Sequence, residues 1–147
     1  MQAVLHRSKR VFVVFAAAAL TALAGCAQMR GMMHGDRLTL SGAQEVPPVR
    51  TGASGSGTIT IGDDRSVSGS VTTTGVTATA AHIHEGAPGV NGPVIVPLVQ
   101  TAANVWSVPA GARLTESQYR AYTAGNTYVN VHSNANKGGE IRAQLKP

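Results

Sequence analysis

Three histidines lie in two short segments whose alternating pattern is typical of β-strands. His82 and His84 are separated by Ile83, and His132 closes the run of residues 129–132. On a strand, residues i and i+2 project from the same side, with their Cα atoms about 6.8 Å apart. If the two strands pair or lie as neighbours, the three imidazoles meet on one surface of the sheet.

The three imidazoles form a candidate metal site. A tridentate histidine set without cysteine suits copper or zinc, and ligand softness and exposure favour copper. Glu85 and Glu140 are candidate carboxylate ligands or acceptors for ring N–H groups, and Asn130 lies on the histidine face of its strand. The alternative is that these polar side chains only hydrogen-bond to nearby loops.

The same alternation predicts which side of each strand faces the core. Apolar residues occupy the positions between the polar ones in both segments, at Ala81, Ile83, Val129 and Val131. We therefore expect the polar set to face outward from the core, and this set comprises His82, His84, Asn130 and His132.

The elements that must position these residues are short strands. Alternating, β-branched segments separated by Gly, Asn and Asp recur from Leu38 to Leu145, which favours an all-β antiparallel sandwich or barrel. One segment differs, because Thr115 and Gln118 have the spacing of a capping box and Gly125 suits a helix end. We predict one short inserted helix near residues 116–124.

The chain begins with a segment that resembles an export signal. A basic start with Arg7, Lys9 and Arg10 precedes an apolar stretch of signal-peptide length, which is short for a membrane-spanning helix. Residues 23–26 read Leu-Ala-Gly-Cys, which resembles the bacterial lipobox, and lipidation would explain the single cysteine, Cys26. We expect residues 1–25 to be a lipoprotein signal peptide and residues 26–37 to be a lipidated flexible tether. Ala27 follows this cysteine directly, and because an aspartate at that position is the usual retention signal, we expect the lipoprotein to be sorted to the outer membrane.

Composition excludes several function classes. The formal charge of +5 depends on the leader, and the remaining basic residues are scattered, so nothing supports nucleic-acid binding. One cysteine excludes an intrachain disulfide framework. The chain contains neither a Gly-x-Ser-x-Gly motif nor a phosphate-binding loop. The tether also contains a few soft ligands that could hold copper, namely Met29, Met32, Met33 and His34. A flexible spacer is the more ordinary interpretation of this segment.

Four ordered motifs resemble the CHRD domain, which is named after the secreted binding protein chordin. They read LSGAQEVPPV at residues 40–49, AHIHEG at 81–86, YVNVH at 128–132 and GGEIRAQL at 138–145. The resemblance covers residues 38–147. It implies a secreted binding domain without established catalysis.

A weaker resemblance is to the copper-ligand order of Cu/Zn superoxide dismutase. It implies a Greek-key β-barrel with copper ligands at His82, His84 and His132, and it loosely matches Arg142 to the arginine that guides the substrate. The chain lacks a fourth, bridging histidine, a zinc-ligand loop and a disulfide pair.

Three functions follow as hypotheses. The first is a lipid-anchored binding module of the cell envelope that holds copper, with a protein partner that the sequence does not name. The second is a copper-only redox enzyme of the dismutase type. The third is a metal-free structural or adhesive envelope domain.

Overall fold

A computed structural model of the protein describes Gly35 and residues 37–147. The expected signal peptide, Cys26 and nearly all of the expected tether lie outside the described residues. Among the residues described, no helix combines the length and apolar character needed to cross a membrane.

The described chain forms one antiparallel sheet of nine strands with a single α-helix, which confirms the all-β prediction. The sheet order is β5-β4-β8-β9-β1-β2-β3-β7-β6. The strands are β1 (Arg37–Ser41), β2 (Ser54–Ile61), β3 (Val67–Thr74), β4 (Ala78–Glu85), β5 (Val94–Pro97), β6 (Val99–Ala102), β7 (Val105–Ser107), β8 (Thr127–Ser133) and β9 (Ile141–Gln144).

The two edges of this sheet are consecutive in the chain, and this makes the sheet barrel-like. β5 pairs with β4 and β6 pairs with β7, yet only Leu98 separates β5 from β6. Leu98 N–H donates to the Ala81 carbonyl at 2.9 Å, and its side chain is buried. β3 pairs with β7 near one end of the sheet, whereas the next strand along the chain, β4, lies between β5 and β8 near the other end. This crossing connection gives the strands from β3 to β7 a Greek-key order.

Alternation along the strands fills the inside of the barrel. The fully buried apolar side chains include Leu40, Val71, Ile83, Val129 and Ile141, which come from five different strands. Each of them alternates along its strand with residues on the opposite face, as a half-buried sheet requires. The prediction that Ala81, Ile83, Val129 and Val131 face the core is confirmed, because all four have no exposed surface.

The inserted helix, α1, spans Glu116–Thr123 with Ala124 as its C-cap, close to its predicted limits. Thr115 Oγ1 accepts from Gln118 N–H at 3.2 Å, and Thr115 N–H donates to Gln118 Oε1 at 2.8 Å. These two bonds are the reciprocal capping box that the sequence indicated. Tyr122 is buried against the core and thereby fixes the helix on the barrel.

The polar face of β4, β8 and β9 is not an open surface, and this corrects the expectation that its residues face outward into solvent. His84 is only 7% exposed and Asn130 only 1%. Two loops cover this face, the segment 42–50 and the segment 86–93, and Asn91 Nδ2 joins them by donating to the Val46 carbonyl at 2.6 Å. Loops placed this way form a second, polar layer outside the barrel.

Candidate metal centre

The pairing of β4 with β8 brings the three predicted histidines together. His82 lies opposite Asn130 and Ala80 lies opposite His132, so His132 is a diagonal neighbour of His82 on the same face. His82 Nδ1 and His132 Nε2 are 3.1 Å apart. One ring nitrogen from each of the three histidines lies within 4.8 Å of the others. The predicted juxtaposition is therefore present in the structure.

Backbone carbonyls fix the orientation of two of the rings. His84 Nδ1 lies 2.9 Å from the Gly92 carbonyl oxygen, and His132 Nδ1 lies 3.0 Å from the Lys137 carbonyl oxygen. A carbonyl can only accept, so each Nδ1 carries the hydrogen and each Nε2 carries a lone pair. His84 Nε2 is buried and has no hydrogen-bond partner among the described residues. In this tautomer His84 and His132 each have a lone pair on Nε2, which is the form that could bind a metal ion.

The pKa of each of the three imidazoles is lowered, which favours the neutral form. Burial lowers the pKa of His82 below 6.5, and the neighbouring His132 and His84 lower it further. Burial also lowers the pKa of His84, partly offset by its bond to Gly92, and burial lowers the pKa of His132, partly offset by its bond to Lys137. Metal ions bind the neutral ring, so protons compete weakly at this site near neutral pH.

A stack of three side chains includes the buried His84 ring. The Tyr128 ring stacks on His84 with centroids 4.9 Å apart and an interplanar angle of 10°, and the Arg142 guanidinium carbon lies 3.4 Å from the Tyr128 centroid. The Tyr128 hydroxyl accepts from Gly92 N–H at 3.0 Å. His84 therefore contacts Tyr128 directly and again through Gly92, which limits how the ring can turn.

Gly92 is required by close packing. A Cβ atom placed there would lie 1.7 Å from the Glu85 carbonyl oxygen. Only glycine lets the loop approach β4 closely enough for the Gly92 carbonyl to reach His84.

The four predicted supporting residues occupy different places. Glu85 is half-buried at the end of β4 and is not part of the cluster of three histidines. Glu140 accepts from Ser133 Oγ at 2.6 Å, from Asn136 Nδ2 at 2.5 Å and from Thr51, and these bonds lower its pKa. Glu140 thus braces the loop that carries the Lys137 carbonyl, rather than a histidine ring.

Asn130 and Arg142 lie next to the cluster in the second layer. Asn130 stands between His82 on β4 and Arg142 on β9 in the pairing register. Arg142 donates to the carbonyls of Ala87 and Val90, at 3.2 and 3.0 Å. It therefore clamps the 86–93 loop over the sheet. In this position its guanidinium is hydrogen-bonded to loop oxygens, and the residue as a whole is only 1% exposed.

Sequence reasoning missed the two carbonyls, the stacking role of Tyr128 and the buried Glu45. Backbone acceptors have no residue signature, although glycines in the 86–93 loop marked a close approach. Glu45 is 4% exposed, and burial raises its pKa to about 7, against the lowering effect of Arg142. Its glutamate type alone predicts an exposed position.

The comparisons with known proteins give one match. The model of the CHRD domain matches residues 37–145. No curated protein and no solved structure matches the chain, so the weaker resemblance to Cu/Zn superoxide dismutase stays a prediction.

Proposed function

The chain belongs to the CHRD domain family, and we propose that it is a binding module of the bacterial cell envelope whose three histidines hold a copper ion. The observation that carries this proposal is His84 Nε2, a buried nitrogen with a lone pair that no group of the described residues contacts by a hydrogen bond, placed within reach of two other imidazoles.

A metal ion would resolve an unfavourable arrangement. A buried polar atom without a partner costs about 1–3 kcal/mol. The Gly92 carbonyl keeps the hydrogen of the His84 ring on Nδ1. His84 Nε2 therefore cannot donate a hydrogen bond, and only a donor or a metal ion can satisfy its lone pair. Coordination supplies that interaction for His84 Nε2, while His132 Nε2, which lies 3.1 Å from His82 Nδ1, would exchange that contact for the metal ion.

The donor set favours copper. The cluster consists of imidazoles alone, which suit zinc, copper, iron and nickel, and among divalent ions copper binds such sites most tightly. No carboxylate joins the cluster among the described residues, so ions that prefer oxygen ligands are disfavoured.

The cellular location is proposed from the sequence. The basic and apolar leader followed by Leu-Ala-Gly-Cys at residues 23–26 supports acylation of Cys26. A diacylated terminus anchors stably, because buried acyl chains contribute about 0.8 kcal/mol per CH₂. Replacing Cys26 with serine should move the protein from the membrane fraction to the soluble fraction of the producing cell.

A copper redox enzyme is the second candidate. His82 and His132 are each partly exposed, so solvent and small molecules can approach the cluster from that side. The position of Arg142 weighs against a dismutase, because its guanidinium binds loop oxygens in a buried layer and is not presented to solvent. An anion-guiding role requires the opposite.

Metal analysis of the purified protein tests the proposal. After copper loading and dialysis we expect one copper per chain, and His84→Asn and His132→Asn should each lower the affinity by roughly 100-fold or more. His34→Asn is the matched control, since it removes an imidazole from a distant part of the sequence. Loss of copper in the control but not in the cluster variants would place the metal in the tether. If the wild type binds neither copper nor zinc stoichiometrically, the remaining hypothesis is the metal-free structural or adhesive domain.

Superoxide turnover separates the two copper hypotheses. A copper-loaded wild type that is no faster than the doubly substituted His82→Ala/His84→Ala protein excludes the enzyme.

A further inference from the structure

The dipeptide Asn91-Gly92 lies in the 86–93 loop, at the point where this loop meets the 42–50 loop. In an asparagine–glycine pair the main-chain nitrogen attacks the side-chain amide most easily, because glycine has no Cβ to hinder the approach. Asn91 is exposed, so water reaches it. Of the asparagines in the chain, Asn91 alone precedes a glycine.

The reaction of such a pair is deamidation. Gly92 N loses its proton to solvent and bonds to Asn91 Cγ, the bond between Cγ and Nδ2 breaks, and the nitrogen leaves as ammonia after taking a proton from solvent. The cyclic imide then takes up a water molecule, which opens either of its two carbonyl–nitrogen bonds. The products are aspartate and isoaspartate, and in isoaspartate the main chain runs through the former side chain. Water is the only co-reactant.

The structure holds each of the reacting groups in a hydrogen bond. Gly92 N–H donates to the Tyr128 hydroxyl at 3.0 Å, so the proton that must leave is already bound. Asn91 Oδ1 accepts from Arg142 at 3.2 Å, and Asn91 Nδ2 donates to the Val46 carbonyl at 2.6 Å. Tyr128 and Arg142 are each 1% exposed, so these partners are themselves fixed by packing. The side chain must break both of its bonds before it can turn towards Gly92 N.

We propose that Asn91 is a deamidation site which the two covering loops keep unreactive, and whose reaction separates these loops. Deamidation of the folded protein then requires local opening of the 86–93 loop, and its rate follows the population of the open state. The aspartate product no longer donates to the Val46 carbonyl, since an ionised carboxylate only accepts. Isoaspartate also shifts Gly92, and with it the carbonyl that orients His84, whether or not a metal ion binds there.

Mass spectrometry of the metal-free protein, aged at pH 8, measures the reaction independently of the copper proposal. The three hydrogen bonds should make deamidation of Asn91 about 100-fold slower in the folded protein than in urea. Tyr128→Phe removes the acceptor for Gly92 N–H and should speed the folded reaction by about 5-fold. Equal rates in the folded and the unfolded wild type overturn the proposal, and so does a folded Tyr128→Phe protein that reacts no faster than the wild type. The first comparison decides the matter if Tyr128→Phe does not fold.

A second asparagine–glycine pair in the same protein is the matched control. Ala135→Gly places a glycine after Asn134, which is exposed in the connection between β8 and β9. In the folded variant Asn134 should deamidate about 10-fold faster than Asn91 or more, because the loops restrain only Asn91. Reaction of Asn91 as fast as that of Asn134 would refute protection by the loops.

Hydrogen exchange tests whether the reaction separates the loops. The N–H groups of Glu45 and Val49 both donate to the Gly42 carbonyl within the 42–50 loop. In Asn91→Asp, which reproduces the aspartate product, these two amides should exchange about 5-fold faster, because the 42–50 loop has lost its bond to the 86–93 loop. Asn134→Asp adds the same charge elsewhere and should change neither amide. Exchange in Asn91→Asp at the rate of the wild type would refute the separation of the loops.

Discussion

Replacing Glu45 with glutamine should change how the stability of the protein depends on pH. Burial raises the pKa of Glu45 from 4.5 to about 7, while Arg142 opposes the rise and Glu140 adds to it. A group with a raised pKa in the folded state stabilises fully below its unfolded pKa, and this contribution is lost as pH rises through the folded pKa. The relevant window for Glu45 is therefore about pH 4.5 to 7.

The size of the effect follows from the two pKa values. Each pKa unit corresponds to about 1.36 kcal/mol, so the interval from 4.5 to about 7 is worth about 3 kcal/mol. Glutamine has no ionisation in this range. The difference in free energy of unfolding, wild type minus Glu45→Gln, should thus fall by about 3 kcal/mol between pH 4.5 and pH 8.

Using this difference removes the contribution of the histidines. Their lowered pKa values act in the opposite direction, because the unfolded chain binds more protons and stability is lost as pH falls below 6.5. Both proteins carry the same three histidines, so the effect cancels.

Urea unfolding of the metal-free proteins from pH 4.5 to pH 8 measures this quantity. Trp106 is the single tryptophan and is buried, so its fluorescence reports the transition. Glu116→Gln removes the same charge from an exposed carboxylate and should change the free energy of unfolding little, since surface ion pairs contribute little. A difference between wild type and Glu45→Gln that stays constant with pH refutes the reasoning.

Three further predictions concern the centre and the core. Gly92→Ala should displace the loop carbonyl from His84 and lower copper affinity by about 10–100-fold in a metal titration, whereas Gly138→Ala, where a Cβ meets nothing within 4 Å, should not. Ile83→Ala should lower the free energy of unfolding by about 2–5 kcal/mol in urea, and a loss below 1 kcal/mol would contradict its full burial. Copper should stay bound on acidification to below pH 6.5, because burial lowers the pKa of all three ligands, and release near pH 7 in a pH titration would contradict this.

Local patterns made the helix and the strand faces predictable. The capping box of Thr115 and Gln118 and the glycine at position 125 act over a few residues, so α1 was predicted to within one residue. Strand alternation separates Ile83 from His82 and His84 in any register, because side chains alternate with a period of two.

The second layer could not be predicted, because it depends on contacts between distant segments. Arg142 meets the carbonyls of Ala87 and Val90 across 55 and 52 residues of chain, and Asn91 reaches Val46 across 45. Nothing in the neighbouring sequence marks these pairs. For the same reason His84 was expected at an open surface and is instead buried beneath the 86–93 loop.

A crystal structure of the copper-loaded protein, with anomalous data at the copper edge, tests the central claim most directly. We predict one peak about 2.0–2.1 Å from a ring nitrogen of His82, from His84 Nε2 and from His132 Nε2. A peak bound elsewhere, or a fully loaded protein in which His84 Nε2 stays without a metal, would contradict the account.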